Sequence, residues 1–273
     1  MIDRTGEQIG NYRLTKLLGS GGFAHVYLGR HVYLDSPAAI KVMYMNITQE
    51  DWENFRAEAR TLARLLHPHI IRLLDFGLDG QIPYLVMDYA PNGTIRQCVP
   101  PGKRLPLATV VEYTNQLAST LQYAHDQKVI HRDIKPENIL LGPNNELLLT
   151  DFGIAVVVQG TSTHVTQETA GTIAYIAPEQ LQSQARPASD QYSLGVMVYE
   201  WLTGKRPFTG AFAELALKHI KTPPPPLHET LPDIPPEVEQ VVLTVLAKDP
   251  KQRFESTQAF ATALERAVKT AQA

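Results

Sequence analysis

From Tyr12 to Tyr89 apolar residues come in short runs, among them Val26-Tyr27-Leu28, Ala38-Ala39-Ile40-Lys41-Val42 and Tyr84-Leu85-Val86-Met87. Glycines and Asp35-Ser36-Pro37 break these runs, a pattern that predicts strands and turns. One stretch departs from it. Trp52, Phe55, Ala59, Leu62 and Leu66 recur every three or four residues, predicting a helix capped by Thr48 and stopping at Pro68. Pro91-Asn92-Gly93 marks a hinge, after which helical spacing dominates, with Val110, Tyr113, Leu117, Leu121 and Ala124 on one stripe. Tyr192 to Leu202 is apolar nearly all round and predicts a buried helix. Prolines 223–226 form a rigid extended connector, and helices resume after Pro236 and Thr257. No internal repeat is present. The layout predicts an α+β chain, with a small β-rich lobe over 11–89, a larger α-rich lobe over 90–267 and tails over 1–10 and 268–273. The cleft of such a two-lobed chain is the natural place for a site.

Composition narrows the partners. With 273 residues and 44% hydrophobic content the chain can build a sizeable core, and a net charge of −3 offers no basic excess for nucleic-acid phosphates. The single cysteine, Cys98, has no internal disulfide partner, which favours a reducing compartment. The first thirty residues hold no apolar leader core, and no apolar run reaches the ~18 residues needed to span a bilayer. The expected location is the cytoplasm, or the cytoplasmic face of a membrane if the chain belongs to a longer receptor.

Candidate chemistry begins at Gly19-Ser20-Gly21-Gly22-Phe23-Ala24-His25-Val26, a glycine-rich turn whose backbone N–H groups can approach phosphate oxygens closely. Gly19, Gly21 and Ala24 also satisfy a dinucleotide fingerprint, but that motif must open a helix, whereas Val26-Tyr27-Leu28-Gly29 reads as a strand. A β-hairpin lid is therefore expected. Lys41 lies in an otherwise apolar strand, where an ammonium needs an anionic partner. Glu58, at the edge of the helical stripe, can supply it, and such a pair would hold α- and β-phosphates. A snorkelling lysine and a solvated glutamate are the plainer alternative.

The most informative segment is His131-Arg132-Asp133-Ile134-Lys135-Pro136-Glu137-Asn138, followed thirteen residues after Asn138 by Asp151-Phe152-Gly153. The strand Leu147-Leu148-Leu149 turns the chain back, so both loops can end at one site. Asp133 can accept a hydroxyl proton, and Lys135 can neutralise charge on a transferring phosphoryl group. Asn138 and Asp151 offer the hard oxygens that Mg²⁺ takes beside phosphates. His67-Pro68-His69 lacks a third ligand and reads as structural.

With these motifs in order, residues 11–267 resemble the eukaryotic-type (Hanks-type) serine/threonine protein kinases, most closely the bacterial ones. Further matches are Ala177-Pro178-Glu179, Asp190 at the start of the buried helix, and Arg253, which in the family pairs with the glutamate matched by Glu179. Lys135, two residues beyond Asp133, is the serine/threonine-type choice. The resemblance implies a bilobal kinase fold, ATP with Mg²⁺ (or Mn²⁺) and protein substrates. It also implies that Leu18, Val26, Ala39 and Leu140 sandwich adenine, that Met87 is the gatekeeper, and that the backbone at Asp88 and Ala90 bonds the adenine edge. Leu62, Leu73, His131 and Phe152 would form a stack signalling an aligned site. Ala24 stands where the family has its third lid glycine, which sets a methyl near the phosphates and brings lid flexibility into question.

Between Asp151 and Glu179 lie six serine and threonine residues, Thr161, Ser162, Thr163, Thr166, Thr169 and Thr172, and Arg132 before Asp133 is of the type that grips a phosphate placed there. Autophosphorylation is expected at Thr166 and Thr169, in trans if the chain forms a homodimer, while Thr172 is expected to bond Asp133 and Lys135. Two other functions compete. A pseudokinase scaffold would usually have lost Lys41, Asp133 or Asp151, and a small-molecule kinase would not need the Ala177-Pro178-Glu179 platform with its paired Arg253.

Overall fold

Alternation of side chains builds an antiparallel sheet at the start of the chain. Strands β1 (Gln8–Ile9), β2 (Tyr12–Ser20), β3 (Ala24–His31), β4 (Pro37–Met43), β5 (Leu73–Asp79) and β6 (Ile82–Met87) lie in the order β1-β2-β3-β4-β6-β5. The computed structural model describes residues 3–44, 46–152 and 173–271. Residues up to Pro91 form one unit, and Asn92–Phe152 with 173–271 form a second.

Period two explains the apolar run in β4. Ala38, Ile40 and Val42 join Ile9, Leu14, Tyr27, Tyr84 and Val86 on one face. Met43 on the opposite face packs with Ala24 and Leu85 against Phe55. Both faces being covered, the strand reads as continuously apolar except at Lys41. Helix α1 (Gln49–Leu62) starts at a capping box in which the Thr48 hydroxyl accepts the Asp51 N–H and the Asp51 carboxylate accepts from Thr48. Its end corrects the sequence reading. After Ala63 the backbone tightens, with Arg64 bonding Thr61 and Leu65 bonding Leu62, so Leu65 is buried and Leu66 is 69% exposed. The sheet also begins earlier than expected. Gln8 and Ile9 pair with Arg13 and Tyr12 across a turn where Gly10 has φ +53°, and the isolated Ile9 carries no periodic signal.

The second unit contains α2 (Ile95–Cys98), α3 (Leu107–Asp126), the hairpin β7 (Ile139–Leu141) and β8 (Leu147–Leu149), then α4 (Pro187–Thr203), α5 (Phe212–Lys221), α6 (Pro236–Val245) and α7 (Thr257–Ala271). As the all-round apolar pattern predicts, α4 is buried from Ser189 to Thr203, with α3, α6 and α7 packed on it. A Cβ at Gly195 would lie 2.5 Å from Val245, so glycine is what allows α4 to approach α6 closely. Helix α7 continues to Ala271, through part of the expected tail. No helix among the described residues is long and apolar enough to cross a membrane.

One buried group links this packing to pH. His219 on α5 is fully buried, its Nδ1 lies 3.0 Å from the Tyr192 hydroxyl, and its ring stacks edge-on to Tyr192 and Phe208. Burial, with the nearby Lys248 charge, pushes the imidazole down from 6.5 to about 3. The folded state therefore binds fewer protons than the unfolded chain between these values, so stability is lost as pH falls from about 6.5 towards about 3. Between pH 7 and about pH 4.5 the loss from this group is on the order of 2–3 kcal/mol. Urea unfolding at both pH values should show a shallower pH dependence in His219→Asn; identical slopes would remove His219 as the cause.

Candidate active site

In the first unit the glycine-rich segment forms the turn of the β2–β3 hairpin, with Gly19 opposite Val26 and Ser20 opposite His25. The Gly21 N–H bonds the Ala24 carbonyl at 3.0 Å, the Tyr44 N–H bonds the Phe23 carbonyl at 2.9 Å, and Ser20 Oγ lies 2.5 Å from His25 Nδ1. A strand follows the glycines, as expected, which removes the dinucleotide reading. Ala24 is 4% exposed and packs with Met43, Phe55 and Leu85. Its methyl group thus packs into the core of the first unit. Gly22 and the side chains of Leu18 and Phe23 are exposed.

Register places Val26 opposite Lys41, and Ala39 opposite Met87, all on the face that carries Ala24 and Met43. Lys41 is half-buried in the middle of that face. Glu58 stands on α1 beside the buried Ala59, with its Oε2 out of solvent. Leu62 and Leu73 pack on the Phe55 cluster. After β6, the Asp88 N–H bonds the Arg72 carbonyl at 3.1 Å and the Asp88 carboxylate pairs with the Arg72 guanidinium at 2.7 Å. Among the described residues no bond engages the Asp88 carbonyl or either backbone group of the buried Ala90.

In the second unit the loop from His131 to Asn138 is organised by Asp190, buried in the first turn of α4. Its carboxylate accepts the His131 N–H at 2.9 Å, the Arg132 N–H at 2.8 Å and His125 Nε2 at 2.7 Å. Three donors satisfy a carboxylate that would otherwise be costly to bury. The Asp133 N–H bonds His131 Nδ1 at 3.2 Å, so the His131 proton sits on Nε2, which donates to the Thr150 carbonyl at 2.9 Å. The His131 ring stacks on Phe152 with centroids 4.5 Å apart.

Asp133 Oδ2 receives Lys135 Nζ at 2.8 Å and Asn138 Nδ2 at 2.9 Å. The Asn138 Nδ2 also bonds the Asp133 carbonyl at 2.8 Å, which commits the amide nitrogen and leaves Oδ1 of Asn138 as a hard oxygen donor. The Thr150 N–H bonds the Asn138 carbonyl at 3.0 Å, bringing Asp151 beside this loop. Arg132 and Asp151 both have left-handed backbones, with φ +70° and +64°. Such strain in non-glycine residues concentrates at functional sites. Leu140 is half-buried on β7. Gly153, Thr166, Thr169 and Thr172 lie outside the described residues.

Beyond residue 173, Glu179 makes a two-pronged ion pair with Arg253 at 2.8 and 2.9 Å and accepts the Ser189 hydroxyl at 2.8 Å. Burial alone would raise the Glu179 carboxyl, but its bonds to Arg253 more than offset this and hold it below the usual carboxylate range.

Sequence reasoning missed several groups. Arg96 on α2 bonds Glu137 at 2.8 Å and Glu200 at 3.0 Å, and also bonds Tyr175, whose hydroxyl donates to Glu200. His125 holds Asp190 from within the apolar stripe of α3. For His125 the signal was a polar residue inside an otherwise apolar pattern; Arg96, among polar neighbours, carried none.

Against known proteins, a family model described as "Protein kinase domain" matches residues 12–264. Serine/threonine-protein kinase PknA of Mycobacterium tuberculosis is 41% identical over 264 residues, covering 93% of this chain and 61% of PknA. Serine/threonine-protein kinase PrkC of Bacillus subtilis is 35% identical over 253 residues, covering 91% of this chain and 39% of PrkC. The chain therefore spans 61% or less of the length of these relatives. A crystal structure of Rad53 1–466 in complex with AMP-PNP matches with a TM-score of 0.77 at 25% identity, over 93% of this chain and 65% of that one.

Proposed function

The chain belongs to the protein kinase family, in its bacterial Hanks-type serine/threonine branch, and from that premise we propose that it moves the γ-phosphate of ATP onto serine and threonine hydroxyls of proteins. The observation that carries this is the Asp133 carboxylate, whose Oδ2 is tied to Lys135 and Asn138 while Oδ1 carries no bond among the described residues. A substrate hydroxyl presented to Oδ1 would pass its proton there as its oxygen attacks phosphorus. Lys135, a short reach away, would offset charge gathering on the phosphoryl oxygens.

In the same reading the backbone N–H groups from Gly19 to Phe23 cover the phosphates and Lys41, paired with Glu58, holds their α and β members. Leu18, Val26, Ala39 and Leu140 are assigned to adenine contact, Met87 to the gatekeeper position, and the Asp88 carbonyl and Ala90 backbone to the adenine edge. The donor chemistry of Asn138 and Asp151 fits Mg²⁺ or Mn²⁺, which when bound neutralises phosphate charge. Glu179 with Arg253 supports the platform for polypeptide, Phe152 and Gly153 belong with Asp151, and Arg132 is the proposed grip for a phosphate on Thr166 or Thr169. Thr172 is assigned to Asp133 and Lys135. Trans-phosphorylation of that segment would bring two copies together. ATP as donor and a lone Cys98 favour the cytoplasmic side as the place of action.

The pseudokinase alternative finds no support, since Lys41, Asp133 and Asp151 are all present. The test is label transfer from γ-labelled ATP with Mg²⁺, to the chain itself and to a generic basic protein, in wild type and Lys41→Met. Label on both acceptors with wild type, reduced about a hundredfold or more in the variant, is expected. Nucleotide binding with no transfer would instead favour a scaffold.

A further inference from the structure

The backbone of Arg132 sits in the left-handed region immediately before Asp133, a conformation that neighbouring groups must enforce. Its peptide groups are held at both ends. Asp190 accepts the Arg132 N–H at 2.8 Å, and the Arg132 carbonyl accepts Gln180 Nε2 at 2.8 Å. The same carboxamide turns its Oε1 to the Ala177 N–H at 3.1 Å. Gln180 itself follows Glu179, which is fastened to Arg253, and opens the 3₁₀ turn Gln180–Gln182. One side chain thus bridges the residue before Asp133 and the Ala177-Pro178-Glu179 segment, its amide giving a donor to the first and an acceptor to the second.

We propose that Gln180 is a positioning residue for phosphoryl transfer, setting the peptide that aims Asp133 in register with the segment that receives polypeptide substrate. The proposal rests on the kinase reading above. A misplacement of about 1 Å at the attacking hydroxyl is enough to slow transfer by up to about a hundredfold, so a half-exposed hydrogen bond can matter more for rate than for stability.

Two variants separate the arms. Gln180→Met removes both bonds. Gln180→Glu keeps an acceptor for Ala177 but has nothing to donate to the Arg132 carbonyl. With a peptide acceptor, both are expected to lower kcat by about tenfold, leaving AMP-PNP affinity within about twofold and Tm nearly unchanged. Hydrogen exchange supplies a readout independent of catalysis. Amides over 131–134 should lose protection in both variants, and those over 176–178 in Gln180→Met alone. A wild-type kcat in Gln180→Met would overturn the proposal, as would protection lost throughout α4 and α7 with a fallen Tm, the mark of a purely structural role. If wild type transfers no label, the kinase reading falls, and the exchange comparison still decides whether Gln180 joins the two segments.

Discussion

Asp133→Asn is expected to lower phosphate transfer by about 10²- to 10⁴-fold while leaving AMP-PNP binding and Tm close to wild type. The structure explains why fold and chemistry separate at this position. Oδ2 of Asp133 accepts Lys135 and Asn138, and its backbone N–H is held by His131 Nδ1. An asparagine can turn its Oδ1 to the same two donors and preserve the loop. Its other terminus then becomes an NH₂ group where Asp133 offers a carboxylate oxygen, and an NH₂ group cannot take a proton. The measurement is single-turnover label transfer beside a nucleotide titration. Transfer retained at the wild-type rate would show that the hydroxyl proton leaves by another route and would dismiss Asp133 as the acceptor.

Arg253→Met should cost about 3–5 kcal/mol of folding stability, because it strands a buried carboxylate. The Arg253 side chain is fully buried and that of Glu179 is 5% exposed. Besides the two-pronged pair, the guanidinium donates to the carbonyls of Ala188 at 2.7 Å and Ala247 at 2.8 Å, and it lies over the Tyr192 ring at 4.8 Å. Methionine fills the volume but satisfies none of these acceptors. For a domain of this size the loss corresponds to a fall in Tm on the order of 10 °C. Without its partner, Glu179 keeps the Ser189 hydroxyl and its own backbone N–H but loses both Arg253 bonds, so burial dominates and its carboxyl shifts upward. The double variant Arg253→Met with Glu179→Gln should regain much of the loss, since the uncompensated charge is then gone. A single variant within about 1 kcal/mol of wild type would mean that water reaches Glu179 and that the pair stabilises little.

Much of the scaffold could be read before any packing was known. The nearly all-apolar stretch in α4 announced its burial, because a helix with no continuous polar stripe has no face to give to water. The turn Gly19–Ala24 was legible as a hairpin because a short apolar run bounded by glycine follows it, with no helical spacing. Where one residue's fate hinged on a change of helical pitch, as at Leu65 and Leu66, periodicity failed, since a single tight turn rotates every later side chain. The burial of Ala24 was not legible for a related reason. Which side of a strand faces the core depends on register with β4 and on Phe55, not on the motif that contains it.

The amino-acid sequence by itself determined the element types and the inventory of reactive groups, including Lys41, Asp133, Lys135, Asn138 and Asp151. These follow from local propensity and from residue chemistry, which act over a few positions. Tertiary structure alone decided which oxygen of Asp133 is committed to Lys135 and Asn138, which proton His131 carries, and how the Arg132 peptide is gripped. It also brought Arg96 to Glu200, 104 positions away, and gave the expected pair of Glu179 and Arg253, 74 positions apart, its two-pronged geometry. A buried polar group must find its partner wherever the fold delivers one, and desolvation makes that requirement strict without leaving a mark on neighbouring residues.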